Sequence, residues 1–133
     1  MASIRQEILT RARPEAVWAA IADIGALHTR LVPGFVVHTR LEPGARIVTF
    51  GNGMVAREPI VDIDHAARRL VWSAVGGRTT HYNASAQVFA AGEGTTKVVW
   101  IADVLPDEVA GDIRVMMEQG AAVMKKTLDK LAE

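Results

Sequence analysis

The chain predicts an α+β fold: a seven-stranded, curled antiparallel sheet around a long C-terminal helix, with two short helices between the first and second strands. Three observations carry that expectation. Beyond Phe35 the apolar residues recur every second position in short stretches, and these are separated by glycine-containing turns. The chain then closes on one long amphipathic stretch. An antiparallel sheet with one solvated face must cover the other, and only this last stretch is long enough to do so.

Taken in order, Ser3 to Arg11 alternates and stops at Ala12-Arg13-Pro14, a strand followed by a helix start. Pro14 suits the first helical turn, where its missing N–H costs nothing. Val17, Ala20, Ile21 and Ile24 give a buried helical stripe that ends at Gly25, and a second short helix is expected over Ala26 to Leu31, before Pro33-Gly34. Strands follow over Phe35–Leu41, Arg46–Phe50, Met54–Asp64, Arg69–Val75, Thr80–Ala90 and Thr96–Val104. Glu42-Pro43-Gly44-Ala45 has the order of a type II turn, and Gly51-Asn52-Gly53, Gly76-Gly77 and Gly92-Glu93-Gly94 can supply positive φ. Pro59 removes a ladder donor inside its strand, so a bulge or unpaired edge is expected there. The final helix spans Asp107 to Leu131, with Val109, Ile113, Met116, Gly120, Met124, Thr127 and Leu131 on its inner face.

Composition narrows the function. At 133 residues the chain has the size of one domain, expected over residues 1–133. Fifteen basic and 15 acidic side chains cancel, with no block of like charge, so neither nucleic acid nor an anionic lipid surface is an expected partner. Cysteine is absent, which removes thiolate chemistry and disulfides. The four histidines lack metal-ligand spacing, no phosphate loop opens a helix, and no Gly-x-Ser-x-Gly motif occurs; no metal and no cofactor are expected. The first residues are charged and alternating, and no apolar run reaches the ~20 residues of a membrane span, so a cytoplasmic location without membrane insertion is the expectation.

Several segments together resemble a known family. They are the helix opening Pro14-Glu15-Ala16-Val17-Trp18, the segment Asp64-His65-Ala66-Ala67-Arg68-Arg69-Leu70-Val71-Trp72 followed by Gly76-Gly77, and the late strand Thr96-Lys97-Val98-Val99-Trp100. In this order of elements they resemble the START-like (SRPBCC) superfamily with the helix-grip, Bet v 1-like fold, and within it the bacterial polyketide cyclase/dehydrase-type proteins. The resemblance implies a cavity between curled sheet and long helix, with a mouth near Gly51-Asn52-Gly53 and Gly76-Gly77. The inward lysine of the plant hormone receptors of that superfamily is missing, its place falling near Leu31.

Alternation assigns the walls. Tyr82, Ala84, Ala86 and Val88 share one face against His81, Asn83, Ser85 and Gln87, and this inner face is too small to fill a core alone. Trp72 lies with Leu70 and Ala74, and Trp100 with Val98 and Ala102. Adding Val48, Glu58, Ile60, Met116, Gly120 and Met124 completes a candidate pocket for a small hydrophobic or aromatic ligand. The tryptophans would stack on it, and Tyr82 and Glu58 would orient its polar end. Glu58 falls inward by simple alternation with Met54, Ala56, Ile60 and Asp62, unless a bulge at Pro59 turns it outward or Arg46 neutralises it. Glu58 and Tyr82 are also the weak catalytic candidates of a cyclase or dehydratase reading. Glycine at Gly120 implies either close approach of a strand or room for a ligand. A third reading, an interaction module or homodimer, rests on Val99 and Ile101, which alternation places on the outer sheet face.

Overall fold

A computed structural model describes residues Met1–Glu133. Strand β1 (Ala2–Thr10) leads into α1 (Pro14–Ala22), a 3₁₀ turn (Ile24–Ala26) and a single π-helical turn (Leu27–Leu31). Six strands follow: β2 (Val36–Glu42), β3 (Ala45–Phe50), β4 (Val55–Asp64), β5 (Arg69–Ser73), β6 (His81–Gly92) and β7 (Thr95–Leu105). Helix α2 (Ala110–Asp129) closes the chain between 3₁₀ turns at Asp107–Val109 and Lys130–Ala132. The seven strands form one antiparallel sheet in the order β1-β7-β6-β5-β4-β3-β2. This is the curled sheet, long helix and short helical segment between the first two strands that the sequence predicts, with a 3₁₀ turn added between its two expected helices. No helix is long and apolar enough to cross a membrane.

Three one-residue irregularities interrupt the ladders, at Val37 in β2, Val61 in β4 and Ala91 in β6. Such bulges bend a strand and increase its twist, which lets a sheet curl around a helix. The irregularity expected at Pro59 therefore lies two residues later and leaves Glu58 undisturbed. Pro59 itself pairs with Ala45 in β3, and Arg46 stands directly opposite Glu58. Past the bulge the alternation resets: Asp62 is exposed and Ile63 packs on the core, so the inward placement of Asp62 is corrected.

The inner face of α2 is also rotated from the expected stripe. Met117, Gly120, Met124 and Leu128 are its buried residues, while Leu131 is 46% exposed in the terminal 3₁₀ turn. Met116 and Ile113 sit at the edge of that stripe, half-buried. Gly120 is explained by close approach: a Cβ there would lie 3.1 Å from the Trp100 ring and from the Phe35 ring. On the outer sheet face, Val99 is buried and not exposed. Its direct neighbours are Glu7 and Gln87. Glu7 is held by Arg5 at 2.8 Å, and long polar side chains of this kind cover apolar surface with their stems. Ile101 is half-buried, so neither residue of the outer-face interaction reading is an exposed apolar side chain.

Candidate functional site

Between sheet and α2 lies a cavity in two parts. The inner chamber, about 60 Å³, is walled by Leu70 and Trp72 of β5, Ala86 of β6, Trp100 of β7 and Met124 of α2. Its other wall comes from the helical connection after α1 and the start of β2, namely Leu27, Leu31, Val32, Phe35 and Val36, together with Ile21. The outer vestibule, about 630 Å³, is bounded by the β3–β4 and β5–β6 loops and the first turns of α2. Both Gly51-Asn52 and Gly76-Gly77 stand at this mouth. Phe35, Phe50, Glu58, Tyr82 and Met116 line both parts and form the neck between them. Phe35 and Phe50 meet edge to face across it, with ring centroids 5.7 Å apart.

The neck carries the polar chemistry. Arg46 Nε donates to Glu58 Oε1 at 2.9 Å, and both side chains are buried. Cross-strand pairing of β3 with β4 sets this contact, since the two residues are direct partners on the inner face. The guanidinium is further held by the Ile24 carbonyl, 3.4 Å from Nη1, and by the Trp72 ring, whose centroid lies 5.5 Å from Cζ. Burial pushes the Glu58 carboxyl above its ordinary range; the charge and hydrogen bond of Arg46 oppose this without reversing it. Burial, and then the charge of Glu58, push the Tyr82 phenol well above its ordinary range, with Arg46 pulling the other way. Neither the Tyr82 hydroxyl nor Glu58 Oε2 is engaged by another protein group, and neither is sealed away from the cavity. Deeper in, the buried Trp100 Nε1 has no hydrogen-bond partner.

The structure divides the expected wall residues. Glu58, Leu70, Trp72, Ala74, Tyr82, Ala86, Trp100, Met116 and Met124 line the cavity, Ala74 on the vestibule side. Val48, Ile60, Ala84, Val98, Ala102 and Gly120 do not: Val48, Ala84, Val98 and Ala102 are buried in the core, Ile60 packs half-buried against it, and Gly120 is filled over by Trp100 and Phe35. Facing inward was a correct reading of these six, but the sheet extends beyond the cavity, and alternation cannot say where the void ends. Sequence reasoning missed Phe35, Phe50 and the residues of the helical connection. A signal existed for the phenylalanines: two of the three in the chain flank turn segments, Phe35 after Pro33-Gly34 and Phe50 before Gly51-Asn52-Gly53. No cluster of three or more His, Cys, Asp or Glu side chains is arranged to hold a metal ion.

The whole chain, residues 1–133, matches the family model described as polyketide cyclase / dehydrase and lipid transport. The chain belongs to that family. This member of the polyketide cyclase/dehydrase group shares its fold with solved structures of low sequence identity. The protein XoxI from Bacillus cereus is 21% identical, covers 98% of this chain and 94% of its own, and superposes with a TM-score of 0.82. A protein from Thermobifida fusca is 25% identical over 98% of this chain and 95% of its own, with a TM-score of 0.81. Norcoclaurine synthase from Thalictrum flavum, solved with dopamine and hydroxybenzaldehyde, is 20% identical over 98% of this chain and 85% of its own, with a TM-score of 0.72. A search of curated proteins gives no significant match.

Proposed function

We propose that the protein binds a small hydrophobic or aromatic molecule in the cavity between sheet and α2. One observation carries this reading: a two-part cavity, apolar in its inner chamber and mixed at its mouth, meets at a neck where a buried ion pair and a free phenol hydroxyl stand together. Apolar walls supply affinity through burial, and a few polar groups at a fixed place supply orientation. The body of the ligand would occupy the vestibule, while Trp72 and Trp100 offer flat surfaces to the part that enters the inner chamber. The test is native mass spectrometry of protein gently purified from its source cells, compared with the denatured mass, alongside titration with the neutral dye Nile red. A bound species lost on denaturation, or saturable dye binding displaced by apolar aromatics, supports the reading. An empty protein that also ignores the dye overturns it.

A second reading is favoured by the Glu58–Tyr82 juxtaposition: a cyclase or dehydratase in which Glu58 or Tyr82 transfers a proton on such a molecule. A carboxylate with a raised pKa in an apolar neck suits that work. Conversion of the recovered small molecule by fresh protein, abolished in Glu58→Gln while binding persists, would establish it; unchanged conversion removes Glu58 from the chemistry.

A further inference from the structure

We infer that Glu58 sets the charge class of the bound molecule: by cancelling Arg46 it bars carboxylates and selects a neutral aromatic that carries a hydroxyl. This rests on the reading of the cavity as a binding site for an aromatic molecule. The charged residues that line the cavity come as two pairs, Arg46 with Glu58 at the neck and Arg78 with Asp112 on the rim, 2.6 Å apart. No lining cation is left unpaired. An anion entering would lose its hydration and find no compensating charge, which is strongly unfavourable in an apolar site.

Arg46 is moreover fixed from three sides, by Glu58, the Ile24 carbonyl and the Trp72 face, and is not free to turn toward an incoming anion. What remains open at the neck is one acceptor, Glu58 Oε2, and one O–H, that of Tyr82. An ionised carboxylate accepts only, so its partner must donate; a phenol both donates and accepts. A ligand hydroxyl satisfies both at once, donating to Glu58 and accepting from Tyr82. A carboxylate offers acceptors alone and meets the Glu58 charge. An ether offers no donor and leaves Oε2 unpaired.

Three probes of one skeleton separate these cases: 2-naphthol, 2-naphthoate and 2-methoxynaphthalene, titrated near neutral pH into ¹⁵N-labelled protein and followed by NMR. 2-Naphthol should bind at least about tenfold more tightly than either other probe, the scale of one hydrogen bond to a charged group. In Glu58→Gln the ranking of naphthol and naphthoate should reverse, since Arg46 is then unpaired. The double variant Arg46→Met/Glu58→Gln should lose that gained naphthoate binding. Tyr82→Phe should weaken naphthol several-fold and leave naphthoate as it was; it decides the matter with the wild-type ranking if Glu58→Gln does not fold. Naphthoate binding as tightly as naphthol to the wild type overturns the inference and leaves the binding site standing. If none of the three shifts the cavity resonances, the binding-site reading itself fails.

Discussion

Two ends of the same sheet-on-helix sandwich are built differently. Toward the C-terminal half of α2, Leu128 is fully buried in the same core cluster as Ile4, Ile8 and Val98, and no α2 residue beyond Met124 lines either part of the cavity. Toward its N-terminal half, Ile113 and Met116 stand over the vestibule, with Tyr82 and Ala74 opposite. The strands run through both regions with the same inward alternation, so binary pattern does not distinguish them. What differs is the backing. The filled end is closed by fully buried apolar side chains of β1, β7 and α2, whereas the open end is bounded by the β3–β4 and β5–β6 loops, which bring glycines together with polar residues such as Asn52 and Thr79 to its rim.

The largest expected effect tests whether the open end is dry at its neck. Arg46→Met leaves Glu58 charged and unpaired, which should cost about 3–5 kcal/mol near neutral pH by urea unfolding. The pH dependence has a definite sign. Glu58 in the folded protein lies above its ordinary value of 4.5, so its contribution is full below that value and is lost as pH rises through the folded value. Removing Arg46 should extend this loss to higher pH. A destabilisation that does not change with pH would mean that water reaches the neck freely.

Next in size is the contrast between the two halves of α2. Leu128→Ala at the filled end should cost about 2–5 kcal/mol, the range for a leucine removed from a close-packed core. Met116→Ala at the open end deletes a side chain that already borders empty space and should cost under about 1 kcal/mol while altering ligand affinity. Equal costs would erase the distinction between the halves. The smallest effect is expected at the boundary, in Gly120→Ala. Alanine gains up to about 1 kcal/mol of helix propensity, and crowding of Trp100 and Phe35 offsets it. Stability should change by less than about 1 kcal/mol, while Trp100 emission shifts as its ring is pressed into the inner chamber.

Much of this was legible in the sequence. Turn residues and alternation located every strand to within two or three residues, and the facing of Glu58, Trp72, Tyr82 and Trp100 followed from period two alone. Two kinds of information were not. The stripe on α2 mixes steps of three and four, so neighbouring Met116 and Met117 both fit, and only the position of Trp100 against Gly120 decides which is inside. The extent of the void depends on how strongly the sheet curls, a property of the backbone that no single side chain encodes. The short helix expected over Ala26 to Leu31 is present as a π-helical turn over Leu27–Leu31, but nothing in its pattern said that Leu27 and Leu31 would wall the chamber.

The bulge at Val61 shows how cavity size could change without any change in the wall. Val61 and Asp62 both point outward, so deleting Val61 would leave Ile60, Ile63 and every residue before them facing as they do now. The ladder with β5 would simply become regular. What would go is the added twist where the sheet wraps toward the mouth. In this architecture chain length, residue by residue along one strand, is therefore a heritable dial on capacity, separate from the identities that decide what is held.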